Sequence, residues 1–178
     1  MKLENFTESK IYIKTFENKE IDHKIKLSKI DFDALTKKYK DHFFLCDKYM
    51  REYDWEKKDF SIVLVDKIEP HESTSPLNHL YNPYGDSFTV YKNGEIKNPG
   101  GWGMSNTQEE FDNIHFMSAI EFYKEHEKLC EKLFLKIINE LKIDKWSPWY
   151  LETLKRYSEV LETVPELQYI RDSEKYNL

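Results

Sequence analysis

Glycine is confined to one segment of this chain. All five glycines and four of the six prolines lie within residues 67–106 of a 178-residue sequence. Glycine permits backbone angles that other residues avoid, and proline fixes its own φ. The flanking sequence is therefore free to form regular strands and helices, whereas residues 67–106 must follow irregular, specific paths. We expect a functional surface in this segment first, because binding residues concentrate on irregular connections.

The N-terminal part predicts a β-hairpin, a helix and a strand. Apolar and polar residues alternate over residues 10–16 and again over 20–27, which is typical of a half-buried hairpin. Apolar residues then recur in steps of three and four, so an amphipathic helix is predicted that begins at a cap on Ser28 or Asp31 and continues to about residue 53. The compact apolar run at residues 60–65 predicts a buried central strand.

A second hairpin is predicted inside the glycine-rich segment. Residues 86–92 alternate apolar and polar side chains, Asn93-Gly94 follows, and residues 95–97 offer a short second arm. Asn-Gly between two extended runs is the strongest short-range hairpin signal, because both residues tolerate positive φ.

The C-terminal half predicts helices. Thr107 and Glu110 have the spacing of a capping box, and a long helix is predicted from there to about residue 142, with a break near residues 113–118. Ser147-Pro148 predicts the start of another helix, which Pro165 interrupts. A short final helix is predicted to about residue 171.

Together these elements predict an α+β fold. A small, mostly antiparallel sheet, made of the N-terminal hairpin, the central strand and the Asn93-Gly94 hairpin, would pack against one long and several shorter helices. The length fits one α+β domain over residues 1–178.

Charge and cysteine content restrict the possible partners. The net charge is −6, and residues 59–106 carry three Lys against six Asp and Glu. Nucleic-acid binding is therefore disfavoured, and a protein partner with a basic surface is favoured. No apolar run is long enough for a membrane span, and Cys46 and Cys130 are expected to be reduced thiols. These features predict a cytoplasmic protein, and the abundance of Lys, Asn, Ile and Tyr is compatible with a bacterial or phage gene.

Catalytic and metal-binding patterns are incomplete. Two His-Glu pairs, beginning at His71 and His126, resemble the start of the helical zinc-protease motif, but neither has the second His four residues later. His71 and His79 are the weak candidates for metal ligands, and no metal or cofactor is predicted. Nucleophile elbows and P-loops are absent from the sequence. The pattern favours a protein that is not an enzyme.

Aromatic residues beside glycine and asparagine are the most suggestive feature of the segment. Tyr and Trp among small polar neighbours are typical of recognition surfaces, although such rings could instead cover one end of the sheet. The predicted binding residues are Tyr81, Tyr84, Asp86, Tyr91, Asn98, Gly100, Gly101 and Trp102.

These observations lead to two hypotheses. The first is a non-catalytic binding protein that neutralises or inhibits another macromolecule, as an immunity protein inhibits a toxin, through the surface of residues 67–106 and acidic residues. The alternative is a small-molecule or nucleotide-binding protein, with or without enzymatic activity, whose site lies at Gly100–Gly103 and the start of the following helix. A scaffold component of a larger assembly is a third interpretation.

Overall fold

The computed structural model describes residues 26–46, 59–71, 80–97, 99–143 and 145–176. Within them lie four strands and six α-helices, which confirms the predicted α+β fold. The strands are β1 (Phe43–Cys46), β2 (Phe60–Pro70), β3 (Tyr81–Val90) and β4 (Gly100–Gly103). The helices are α1 (Phe32–Tyr39), α2 (Gln108–Asp112), α3 (Ala119–Glu125), α4 (Glu127–Leu141), α5 (Pro148–Leu161) and α6 (Gln168–Tyr176), with a 3₁₀ turn at Pro165–Leu167.

The sheet is an antiparallel meander in the order β1-β2-β3-β4. β2 and β3 form its long central pair, with an irregularity in register between Val65 and Lys67. Gly85 lies opposite Val65 at this point. Helices cover both faces of the sheet, because the strands bury side chains on both sides.

The larger core lies on the first face, beneath α3, α4, α5 and α6. Tyr157 fixes α5 to the sheet, because its buried hydroxyl lies 3.0 Å from the Ile62 carbonyl oxygen and 2.8 Å from that of Asp86. The fully buried side chains of this core include Phe43, Ile62, Leu64, Phe88, Phe122, Leu133, Ile137, Leu154 and Leu161. A smaller core lies on the second face, beneath α1 and α2, and contains Phe44, Val63, Val65, Ile68, Leu80, Tyr81 and Phe111.

The predicted helix over residues 28–53 is wrong beyond Tyr39. Asp41 has a left-handed φ of 61°, and Phe43–Cys46 continues as β1. Phe43 and Phe44 are both buried, on opposite faces of the sheet. A strand directs successive side chains to opposite faces, so a four-residue apolar run can be buried on both, whereas a helix would bury its apolar residues on one side. Residues 47–53 lie outside the described residues.

The glycine-rich segment is more regular than predicted. β2 and β3 extend over residues 67–70 and 81–85, which were expected to be irregular, because the two strands pair there. The glycine–tryptophan turn expected to lead directly into a helix is instead β4, paired with β3. The Asn93-Gly94 hairpin is confirmed: Gly94 has a φ of 78°, and the Tyr91 N–H donates to the Glu95 carbonyl at 2.9 Å. Its second arm is short, with one bridge between Val90 and Ile96.

Helix starts match the sequence closely. Thr107 with Glu110 and Ser118 with Glu121 both form capping boxes, and Ser147 caps α5 with Pro148 in its first turn. The break predicted at residues 113–118 is confirmed, since no helix covers them. A further break at His126 was not predicted, so the expected long helix is divided into α2, α3 and α4.

The predicted N-terminal hairpin lies almost wholly outside the described residues. Leu27, its last residue, is in a helical turn, where the Ile30 N–H donates to its carbonyl at 3.1 Å. Among the helices within the described ranges, none is long and apolar enough to cross a membrane.

Candidate functional site

The register of β3 and β4 brings several predicted binding residues together. Gly100 lies opposite Ser87, Gly101 opposite Asp86, Trp102 opposite Gly85, and Gly103 opposite Tyr84. Because residues opposite each other share a face, Asp86 and Gly101 belong to the first face, and Trp102 belongs to the second.

Space beside β4 is open at two of its glycines. A Cβ placed on Gly100 or Gly101 would meet no atom within 4 Å, apart from those of the adjoining residues. At Gly103 the space is filled, because a Cβ would lie 2.7 Å from Cε2 of the Tyr84 ring. The first face of β4 therefore presents a bare backbone at Gly101, bordered by the ring of Tyr84.

Asp86 lies beneath α5, half-buried beside this bare backbone. Burial raises the pKa of its carboxyl group, while a hydrogen bond with the Thr153 side chain and the charge of Arg156 oppose that rise. The carboxylates of Asp66 and Glu152 raise the pKa further. Glu152 is exposed on α5, so a second negative group acts on the carboxylate that lies opposite Gly101.

Arg156 is held by other partners. Its guanidinium donates to Oδ1 of Asp41 at 2.9 Å and to the carbonyl oxygen of Val65 at 2.5 Å, and lies 3.5 Å from Oδ1 of Asp66. These contacts direct the arginine toward β1 and β2. Its charge only partly balances that of Asp86, whose pKa remains raised.

Tyr84 is the most exposed of the predicted aromatic residues, with 43% of its surface accessible. Lys67 lies over its ring, with Nζ 5.3 Å from the ring centroid, and the same Nζ pairs with Glu69 at 2.5 Å. The ring is therefore supported from β2 and is accessible on the first face, where it lies beside Gly103 of β4.

Tyr81 and Trp102 pack into the second face. Tyr81 is 5% exposed, its ring stacks on Phe111 at 4.6 Å, and its hydroxyl donates to Oε1 of Gln108. Burial raises the pKa of this hydroxyl. The indole of Trp102 is partly buried against the same core, and its Nε1 finds no acceptor among the described residues. Tyr81 and Trp102 therefore fit the second interpretation of the aromatic residues, in which the rings cover part of the sheet.

The remaining predicted residues lie elsewhere. Tyr91 is in the Asn93-Gly94 hairpin at the other end of β3, with Nζ of Lys97 over its ring at 4.8 Å. His71 follows β2, and its Nδ1 lies 2.5 Å from Oγ of Ser105. Asn98 and His79 fall outside the described residues. No group of three metal-ligating side chains is found in the described part of the chain.

Two open clefts flank the Asn93-Gly94 hairpin. The larger, about 430 Å³, lies between the hairpin and α4, where Lys132 donates to the Gly94 carbonyl. The two lysines of the larger cleft are engaged within the chain: Lys136 pairs with Glu140, and Lys132 donates to the hairpin.

Sequence reasoning missed the contribution of α5 to the site. Thr153, Arg156 and Glu152 all act on Asp86, yet they lie more than sixty residues away in sequence. Their spacing on α5 follows the pattern of an ordinary amphipathic helix, so no local signal identifies them. Only the packing of α5 across the first face places them beside Asp86.

The chain is thus an α+β protein whose antiparallel meander is covered by helices on both faces. Comparisons with family models, with curated proteins and with solved structures each return no match for it.

Proposed function

We propose that this chain is a non-catalytic binding protein that neutralises or inhibits another macromolecule, in the manner of an immunity protein. The observation that carries the proposal is the open space at Gly100 and Gly101, at the edge of the sheet and next to the Asp86 carboxylate. An accessible backbone edge, an exposed tyrosine and unbalanced negative charge together suit a contact with a basic protein surface.

The charges around this edge support a basic partner. Among the described residues of the 67–106 segment near β4, Lys67 is already paired with Glu69. α2, which begins five residues after β4, exposes Glu109, Glu110 and Asp112. Complementary charge accelerates association with a basic protein and suppresses pairing with acidic ones.

The geometry gives less support to the nucleotide-binding alternative. Gly100–Gly103 forms a strand rather than a loop that could wrap a phosphate, and α2 has only five residues. The N–H groups at its start are engaged within the chain: Thr107 Oγ1 accepts from the Glu110 N–H, and the Glu110 carboxylate accepts from the Thr107 N–H. An anion would have to displace both contacts.

The test is capture of a partner with the purified, tagged full chain as bait in a lysate of its native host. We expect one stoichiometric protein that co-elutes with the chain and whose activity falls when the complex forms. Gly101→Lys should weaken the complex, whereas Glu166→Gln, which changes net charge equally at an exposed position of the 3₁₀ turn, should not.

Two results would overturn the proposal. One is the absence of any stoichiometric protein partner. The other is a rise of several degrees in melting temperature with a nucleotide or a divalent cation that is lost in Trp102→Ala, because specific ligand binding to the native state raises stability and would support the small-molecule alternative.

A further inference from the structure

The outer side of β4 is an unpaired strand edge. In an antiparallel pair, alternate residues direct their N–H and C=O groups toward the partner strand and the others direct them away. β4 is the last strand of the sheet, and no described residue pairs with its outer side. We call this side, along Gly100–Gly103, the open edge.

The open edge lacks the usual protection against pairing. Natural edge strands commonly carry lysines, prolines or bulges that prevent another strand from adding. β4 consists of three glycines and one tryptophan, and a Cβ at Gly100 or Gly101 would meet nothing. An incoming strand would therefore find no side chain in its way at these two positions.

Gly101 also gives an incoming strand access to Asp86. Neighbouring strands lie about 4.8 Å apart, so a strand added to β4 would lie about 10 Å from β3. With no side chain on Gly101, a long basic side chain at the opposing position of the new strand can extend over it toward the Asp86 carboxylate. The Asp86 carboxylate lies opposite Gly101 in the strand register, so the complementary charge is positive.

We propose that the open edge binds an extended segment of the partner protein as an additional strand, with a Lys or Arg of that segment paired with Asp86 across Gly101. This inference rests on the proposed function and names the part of the partner that is recognised. Main-chain hydrogen bonds would supply affinity, and the pair with Asp86 would supply register and charge selectivity.

A second copy of the chain fits the open edge less well. Pairing of two β4 strands would bring the Asp86 carboxylates of both copies to the same interface, and like charges placed together disfavour association. Charge complementarity therefore selects a basic segment of a different protein.

The test uses the full chain with two capped synthetic peptides, one alternating Thr and Lys and the other alternating Thr and Glu. Amide hydrogen exchange of Gly100–Gly103 is followed by NMR during titration. The Thr-Lys peptide should slow exchange at alternate residues of β4, and the Thr-Glu peptide should not. Asp86→Asn should weaken the Thr-Lys peptide about tenfold, since the cost of losing a half-buried charge pair lies between those of exposed and buried pairs.

Variants at one position separate charge from strand pairing. Gly101→Lys places a cation of the chain itself over Asp86 and should abolish the preference for the Thr-Lys peptide, whereas Gly101→Ser should retain it. If Gly101→Lys fails to fold, Asp86→Asn alone still tests whether the charge of Asp86 contributes to binding of the Thr-Lys peptide. The inference is overturned if the two peptides have equal effects, or if neither slows amide exchange in β4. It is also overturned if the outward-facing amides of β4 are already protected from exchange in the free monomer or in a homodimer.

The outcome is separable from that of the proposed function. A host partner that binds Gly101→Lys as tightly as the unmodified chain would refute strand addition at β4 and leave an inhibitory binding protein standing. If no host partner exists, the proposed function fails even where the peptides bind.

Discussion

Replacing Gly85 by alanine tests a close approach between the backbones of β2 and β3. A Cβ at this position would overlap the carbonyl oxygen of Leu64 and lie 3.0 Å from its carbonyl carbon and 3.3 Å from Cα of Val65. These atoms belong to the backbone of β2 and have no rotamer by which to move aside. Alanine would therefore force β2 and β3 apart at the centre of the sheet, beside the irregularity in their register.

The expected cost follows from this overlap. Overpacking of a well-packed interior costs about 1–3 kcal/mol, occasionally more. We take about 3 kcal/mol for Gly85→Ala, because the obstacle is a paired strand. In a protein of this size each kcal/mol shifts the melting temperature by about 2–4 °C, so the variant should melt about 6–12 °C lower.

Gly101→Ala is the matched control. The same methyl group is added one strand away, where it would meet no atom within 4 Å. A glycine replaced without strain stabilises by about 0.4–1 kcal/mol through the unfolded state, so this variant should melt about 1–4 °C higher. Differential scanning calorimetry on both proteins decides the question. Melting temperatures that agree to within about 2 °C would refute the reasoning.

Three further predictions concern side chains on the first face. Tyr157→Phe should lower the free energy of unfolding by about 1–2 kcal/mol, because the hydrogen bond of a buried hydroxyl group is lost. Tyr169→Phe, at an exposed ring, should change it by less than about 0.5 kcal/mol. Urea titrations with equal slopes test both variants, and equal losses of stability would contradict the role given to the Tyr157 hydroxyl. The raised pKa of Asp86 means that the native state retains a proton that the unfolded chain has released, so its contribution to stability falls as pH rises above the ordinary Asp pKa of about 3.9. Asp86→Asn should therefore gain stability relative to the unmodified protein between acid and neutral pH in parallel urea titrations, and a difference that is independent of pH would count against it. Cys130, whose pKa burial raises to about 12, should react with a thiol reagent only after denaturation, and rapid labelling of this residue in the native protein would show the packing to be wrong.

Local signals in the sequence identified the elements that local chemistry determines. The hairpin at Asn93-Gly94, both capping boxes and the helix start at Ser147-Pro148 depend on residues within four positions of one another. Side chains that bond to nearby backbone groups act in the same way in any fold, so these predictions needed no tertiary information.

Elements that depend on tertiary pairing were missed. Phe43–Cys46 fits a helical spacing as well as a strand, and only its pairing with β2 decides between them. Gly100–Gly103 has poor intrinsic strand propensity, yet β3 holds it in the sheet. The binding residues predicted within residues 67–106 stay a prediction, and the residues on α5 that act on Asp86 could not be identified, because no sequence pattern links Thr153 or Arg156 to Asp86.

The meander order of the sheet has a consequence for synthesis on the ribosome. Each strand pairs with the next one in the chain, so the sheet can be completed as soon as β4 emerges. The helices that cover its first face come only afterwards, over the roughly 70 residues from β4 to the end of α6, which take about 4–14 s to translate. During that interval Phe43, Ile62 and Phe88 face solvent on the nascent chain. A chaperone that binds apolar surface should therefore associate with chains stalled after β4. It should be released once α5 has been synthesised and Tyr157 packs against the sheet.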